Sequence, residues 1–439
     1  MKILMTVLQF PPFGGAAVSR IYSFAKYWSR AGHDVTVVTP EKYPFMGQRD
    51  YWPEGYEDES FKVVEVAFSP LFFSKQEQER NKHRVSRADA SGIGKKVRTL
   101  LRKLRKNVIG NSVDMHRLWK SAVEKEALAL LEKESFDVLF SSFSPQTSHL
   151  IASKIKQRYP ELVWVADYRD LWTGNHLLKM HPVVQFYQTY KEKKVLSGAD
   201  LITTVSSPLA AYLRTLHHKK VEVIFNGYDH EEWGALPQEP FFPDDGIFRI
   251  VYTGTIYEGT RDPSPLFEAI AALERSTEVS AEKLQIYFYG DSGNVMEIAQ
   301  RYQVLDYVQE GGMLNKQDAL RAQRDASLLL FLEGAPQDGT LSAQGVLTSK
   351  IFEYLASATP VLAIGIDRTS PIGELLESTG SGEAVGADVD KTEALLLQYM
   401  SNRVRTRPEE NDLIRQYRRE NQAKVLEKHI ENIRKSTIA

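Results

Sequence analysis

Apolar positions along the chain gather into short β-branched runs separated by stretches of helical spacing. Ile3–Leu8 and Val35–Val38 are two such runs bounded by turn residues. Between them Ile21, Phe24, Ala25 and Trp28 recur on one helix face, and Gly32 is placed to end that helix. This predicts a βαβ unit, whose crossover makes its two strands parallel. The beat resumes with FDVLFS from Phe136, a helix around His149–Arg158 and LVWVA from Leu162. LITTV from Leu201, a helix around Leu209–Leu216 and VEVIF from Val221 continue it. Glu231–Gly246 is rich in proline and acids, lacks periodicity, and reads as a linker. A second series starts with RIVYTG at Arg249 and runs through KLQIYFYG, SLLLFL and PVLAIG. Its helices are predicted around Leu266–Leu273, Val295–Tyr302, Ala319–Ala326 and Ile351–Ala356. Asn411–Arg434 closes the chain as a charged amphipathic helix. The expected class is α/β, with two Rossmann-like domains over residues 1–230 and 247–408, a linker over 231–246 and a last helix over 409–439.

The stretch Tyr43–Val123 breaks the beat and is expected to elaborate the first domain. Inside it, Lys95–Lys106 (KKVRTLLRKLRK) places Val97, Leu100, Leu101 and Leu104 on one helical face and basic residues around the rest. Such a helix can lie on an anionic membrane surface, or it can be a surface helix whose apolar stripe faces the core; both readings stand.

Composition narrows the chemistry. The 439 residues are 42% hydrophobic and 26% charged, with a formal net charge of -2, so no global field favours nucleic acid or membrane. With no cysteine, disulfides, thiolate metal sites and cysteine nucleophiles are excluded. The apolar run after Lys2 stops at Gln9 and Pro11, too early for a secretory signal. Leu355–Ile366 is interrupted by Ser357, Thr359 and Pro360 and is too short to span a bilayer. A soluble, cytoplasmic protein is expected.

Three loops can carry chemistry. Gly14 and Gly15 lie between a strand and a helix, where bare backbone and unpaired N–H groups can meet an anion. The alternative is a tight turn, and the spacing is not that of a dinucleotide fingerprint. In VLTSKIFEYLASATPVLAIG, Thr348 or Ser349 can cap a helix starting near Lys350. A lysine in the first turn opposes the helix dipole, which suggests an anion there; Glu353, one turn on, is suited to ribose hydroxyls. The alternative is a surface Lys350–Glu353 pair. In ADYRDLW, Asp167, Tyr168, Arg169 and Asp170 follow a strand, where open parallel sheets bind ligands. Arg169 can instead serve only to neutralise the two aspartates.

Together these segments resemble the GT-B glycosyltransferases, and most of all the retaining family 4. PPFGGAAVSRIYSFAKYWSRAGHDVTVVTP, TTVSSPLAAYL and VEVIFNGYD fit its first domain, and YTGTIYEGTRDPSPLFEAI and SKIFEYLASATPVLA fit its second. The resemblance covers nearly the whole chain and is weakest over Tyr43–Val123. It implies a cleft holding a nucleotide sugar as substrate, with Gly14 and Gly15 at the donor diphosphate. Thr255 and Arg261 would follow the first strand of the second domain. Thr348, Ser349 and Lys350 would form the phosphate loop, Glu353 would bind the ribose, and Gly312, Met313 and Leu314 would lie near the base. Tyr168, Arg169 and Asp170 would line the acceptor side, with Asp170, Arg261 and Lys350 nearest the reaction. The last helix would cross back to the first domain.

The family also carries a glutamate eight positions before the one matched by Glu353; here that position is Gly345, with Glu333 and Asp338 nearby as possible substitutes. The identity of the sugar is thereby left open. No cofactor and no metal are expected, since Arg261, Lys350 and a helix N-terminus suffice to neutralise a departing diphosphate. Asp388-Val389-Asp390 resembles a D-x-D metal motif but precedes KTEALLL, which predicts a helix cap. The acceptor is expected to be a glycan or a lipid-linked species, with peripheral membrane contact through Lys95–Lys106 and no nucleic acid. A nucleotide-sugar epimerase and a non-catalytic two-lobed binding protein are the rival readings.

Overall fold

The computed structural model describes residues 1–12, 14–41, 59–67, 119–174, 180–257, 259, 261–334, 347–401 and 411–438. They form two compact units. Residues up to Phe225 and from Ala423 onward make the first, and those between Asn226 and Gln422 make the second. The basic stretch Lys95–Lys106, Asp338 and Gly345 lie outside the described residues.

In the first unit the elements are β1 (Lys2–Thr6), α1 (Ala16–Arg30), β2 (Asp34–Pro40), β3 (Lys62–Val66), α2 (Lys120–Lys133) and β4 (Val138–Phe143). They continue with α3 (Gln146–Arg158), β5 (Val163–Tyr168), α4 (Pro182–Leu196), β6 (Leu201–Thr204), α5 (Ser207–His217) and β7 (Val221–Val223). The sheet order is β3-β2-β1-β4-β5-β6-β7, with parallel pairings. Alternate residues of each strand serve opposite faces, so a sheet covered on both sides reads as a continuous apolar run. Ile3, Met5, Val138, Phe140, Val163 and Val165 pack with Ile21, Phe24 and Trp28 of α1. Leu4, Leu139 and Trp164 point the other way, toward Val123 and Ala127 of α2 and Ile151 and Ile155 of α3.

The second unit holds α6 (His230–Gly234), β8 (Phe248–Thr253), α7 (Ser264–Arg275), β9 (Leu284–Tyr289), α8 (Val295–Arg301), β10 (Val308–Gly312) and α9 (Lys316–Asp325). After these come β11 (Leu328–Leu332), α10 (Ser349–Ser357), β12 (Val361–Ile364), α11 (Pro371–Thr379), β13 (Gly382–Ala384), α12 (Val389–Ser401) and α13 (Asp412–Arg415). Its parallel sheet runs β10-β9-β8-β11-β12-β13. The last helix, α14 (Arg419–Ile438), starts in this unit, while its Ala423, Leu426 and Ile430 sit in the core of the first. Trp28 Nε1 donates to the Ala423 carbonyl at 3.2 Å.

Among the described residues two expectations are revised, a third is filled in, and one helix was missed. The stretch Tyr43–Val123 contributes an edge strand, β3, and the first turn of α2. The boundary between units falls after Phe225, and the expected linker 231–246 belongs to the second unit. There Arg324 Nη1 donates to the Pro237 carbonyl at 2.6 Å, and Phe241 N donates to Asp325 at 2.7 Å. The closing helix is two helices, because Tyr417–Arg419 is drawn into a parallel bridge with Tyr228. Helix α4 was not predicted at all.

Candidate functional site

The second unit collects its chemistry at the carboxyl ends of β8 and β11 and the start of α10. Gly254 ends β8 with φ of 138°, in the region that favours glycine. A side chain there would collide with the Lys350 ammonium, which lies 4.3 Å from the Tyr252 ring centroid. Gly290, after β9, has φ of 115°, and a Cβ on it would strike the Gly254 carbonyl. Two backbones are thus packed glycine to glycine under the lysine. Arg261 Nη1 donates to the Thr255 carbonyl at 2.8 Å, its guanidinium lies 4.8 Å from the Tyr257 ring centroid, and Nη2 is 3.4 Å from the Glu333 carboxylate. Tyr354 of α10 braces β8 from below, its hydroxyl accepting from Thr253 N at 3.1 Å.

Lys350 stands in the first turn of α10, with Thr348 at the N-cap position. Burial, and then the neighbouring Arg261, lower its pKa to about 7, against the smaller pull of Glu333 and Glu353. Two cations beside a helix N-terminus repel each other, and an anion placed there relieves that repulsion. Thr348 occupies the cap position without a side-chain cap bond, and its buried Oγ1 has no hydrogen-bond partner among the described residues. Asn226 donates from Nδ2 to the Leu347 carbonyl at 3.3 Å, and its own buried Oδ1 has no partner among the described residues. Sequence reasoning matched Asn226 to the family but gave it no role; it props the loop that precedes Lys350.

Glu353 pairs with Lys316 of α9, not with Lys350. Burial raises the Glu353 pKa, but Lys316, Arg419 and Gln323 together outweigh it, so the carboxyl sits below its ordinary range. Lys316 also lies 3.8 Å from Glu232 of α6. Gly312 takes φ of 67° at the end of β10, followed by Met313, which is 65% exposed, and by the half-buried Leu314. Lys316 was missed because its partner is 37 residues away in sequence.

In the first unit Gly14 is half-buried and Gly15 exposed, directly before α1. Gly15 has φ of 109° with open space around its Cα, so backbone conformation rather than crowding requires glycine. One turn into α1, Arg20 is buried against Asp167, with Nη2 donating at 2.7 Å and Nε at 3.2 Å. Its Nη1 donates to the carbonyls of Ile224 and Phe225 at 2.8 and 2.9 Å. Ser142 and Thr203 each donate to the same carboxylate at 2.8 Å. Burial raises the Asp167 pKa, but Arg20 and the hydroxyls outweigh it and hold the carboxyl below its usual range.

The ion-pair partner of Asp167 is therefore Arg20, and Arg169 pairs with Asp170, at 2.9 Å. Tyr168 is fully buried, its hydroxyl donating to Glu192 of α4 at 2.9 Å, so it braces the loop instead of lining a surface. Thr173 Oγ1 donates to the other Glu192 oxygen, and Trp172 Nε1 donates to Gln188 at 3.2 Å. Arg169 and Asp170 thus sit on a loop pinned on both sides by α4. Asp388 accepts from Lys391 N at 3.0 Å, the helix-capping role expected of it. Among the described residues no three His, Asp or Glu side chains gather as a metal site, and no helix is long and apolar enough to cross a membrane.

Comparison with known proteins adds a family to this geometry. Residues 14–227 match the model of the glycosyl transferase 4-like domain. No curated protein sequence matches. Sucrose-phosphate synthase from Thermosynechococcus elongatus superimposes with a TM-score of 0.60 at 14% identity, covering 99% of each chain. An α,α-trehalose-phosphate synthase (UDP-forming) from Burkholderia xenovorans, solved with glucose-6-phosphate, gives 0.61 at 9% identity, over 98% of this chain and 100% of that one. WaaG, a glycosyltransferase involved in lipopolysaccharide biosynthesis, gives 0.50 at 10% identity, over 98% and 99%. At these identities the structural likeness establishes the two-domain GT-B fold and nothing finer.

Proposed function

We propose, from the premise that this chain is a glycosyltransferase with a family 4-like domain on a GT-B frame, that it moves a sugar from a nucleoside-diphosphate sugar to a glycan or lipid-linked acceptor with retention of configuration. The observation that carries the donor reading is the pairing of Lys350 and Arg261 at the start of α10, beside glycine backbone at the ends of β8 and β9. An anionic diphosphate is the species whose charge complements that site. Glu353, one turn further along α10, would take the ribose hydroxyls in exchange for Lys316. The Gly14–Gly15 amides would meet the diphosphate, and Asp170 with Arg169 would face the acceptor. Both assignments rest on the family likeness.

The bond from the anomeric carbon to the phosphate oxygen breaks as a bond from that carbon to the acceptor oxygen forms on the same face. The acceptor proton passes to the departing phosphate. Lys350 and Arg261 balance the charge that develops on the leaving group, a role that needs no metal. A part in cell-surface polysaccharide assembly, at the inner face of the plasma membrane, fits an acceptor of this class. The test is a thermal-shift screen with nucleoside diphosphates and their sugars, since a ligand of the native state raises the melting temperature. Turnover of the donor so found follows. Unchanged turnover in Lys350→Ala and Arg261→Ala overturns the phosphate assignment, and a product of inverted configuration overturns retention. An isomerised nucleotide sugar formed without acceptor would mark an epimerase instead.

A further inference from the structure

Helix α4 is turned inside out. Its buried face carries Gln188 and Glu192, both satisfied by side chains of the loop 168–173, and its outer face carries Val183, Phe186, Tyr187 and Tyr190. These four are 69%, 77%, 59% and 59% exposed. Spacings of three, four and seven place them in one line along the helix. Lys194 continues that line one turn on and Lys193 flanks it, both exposed, while Lys191 is half-buried with its ammonium donating to Gln146 over the Trp172 ring. The single acid of the helix, Glu192, points the opposite way into the core. The hydrogen bonds of Gln188 and Glu192 fix the rotation of the helix, so the stripe cannot turn inward without breaking them.

We propose that this face of α4 lies on an anionic lipid surface. Aromatic side chains with a polar tip settle at the level of lipid headgroups, a short apolar line enters the acyl boundary, and flanking lysines meet anionic headgroups. A face whose exposed charges are Lys193 and Lys194, with no acid, is complementary to such a surface. A protein partner of mixed charge would leave that excess unmatched. The proposal stands apart from the sugar-transfer reading, because a vesicle tests it without donor or acceptor.

The full-length protein is floated with vesicles of phosphatidylcholine alone and with vesicles containing phosphatidylglycerol. Binding is expected only to the second. Phe186→Ser/Tyr190→Ser is expected to lower it at least tenfold, and Lys193→Glu/Lys194→Glu to abolish the preference for anionic lipid. If the aromatic double variant melts lower than the parent, Phe186→Gln alone is read, with the same direction expected. The proposal is overturned if the parent ignores phosphatidylglycerol, if the variants float as it does, or if the parent is a dimer that the aromatic variant splits. Vesicle binding without a nucleotide-induced thermal shift would sink the sugar-transfer reading and leave this one standing; the converse would sink this one alone.

Discussion

At the scale of single residues, Lys350 is the feature most legible in the sequence, because a cation at the positive end of a helix is an anomaly wherever it occurs. Burial, with Arg261 beside it, lowers its pKa to about 7, which gives that anomaly a testable consequence. In the unfolded chain a lysine titrates near its ordinary 10.5, so between pH 7 and that value the unfolded state holds more protons than the native one. This side chain therefore makes stability rise with pH across the window, and a bound diphosphate opposes the effect by recharging it. Titration calorimetry at pH 8.5 in two buffers of different ionisation heat should show proton uptake on diphosphate binding. Uptake should fade toward pH 6 and vanish in Lys350→Met, where affinity falls roughly ten- to a hundredfold, as loss of a charge-assisted hydrogen bond implies. Equal heats in both buffers would count against the assignment. Asp167 shows the opposite case. Its partner Arg20 is 147 residues away, so no local spacing could reveal it, and Arg169 was the natural but wrong choice. Its depressed pKa makes the pair fully stabilising above the ordinary carboxylate range, a contribution lost as pH falls below that range through the lower value of the folded state. Asp167→Asn, which leaves Arg20 buried without its counter-charge, should cost about 3–5 kcal/mol in urea unfolding.

At the scale of elements, strands and amphipathic helices were readable because burial has a period, and α4 was unreadable because its pattern is inverted. A helix whose buried face holds Gln188 and Glu192, and whose exposed face holds Phe186 and Tyr190, gives the wrong phase to any reader who assumes apolar means inside. The polar inner face is explained by what it holds. Glu192 accepts from Tyr168 and Thr173 and stands 3.6 Å from His217, so one carboxyl ties α4, α5 and the loop carrying Arg169 and Asp170 together. Glu192→Ala leaves buried hydroxyls without an acceptor and should cost about 2–4 kcal/mol, while Glu192→Gln should keep most of the stability. If that loop serves the acceptor, the surviving folded enzyme should show a raised acceptor KM with the donor KM little changed. A uniform loss of kcat with both KM values unmoved would reduce Glu192 to a structural brace. The misplaced linker has a similar cause. Proline and acid content in 231–246 reads as solvent-facing chain, but the carbonyls of Pro237 and Glu239 are taken by Arg324, more than eighty residues on in sequence.

At the scale of the molecule, identities of 9–14% over 98% or more of the chain show that the repeating βα pattern persists when individual residues do not. The alternation of apolar runs made the fold legible, and the same argument predicts where the molecule depends on its last helix. Helix α14 is charged along most of its length, yet Ala423, Leu426 and Ile430 are at most 1% exposed in a core they share with α1, β1, β2, β4 and β5. Those strands bury alternate residues on that face, so without the helix an apolar surface of the first unit would meet water. Leu426→Ala should cost about 2–5 kcal/mol and lower the melting temperature of the first unit by roughly 5–20 °C. Hydrogen exchange can assign the loss. Amides of α1 and of β1 and β2 should lose protection first, because they lie against the side of the sheet the helix covers. Amides of β8, β9 and β11, whose core draws on other residues, should keep theirs. Equal loss in both sheets would mean that α14 stabilises the chain by some route other than the apolar face it covers.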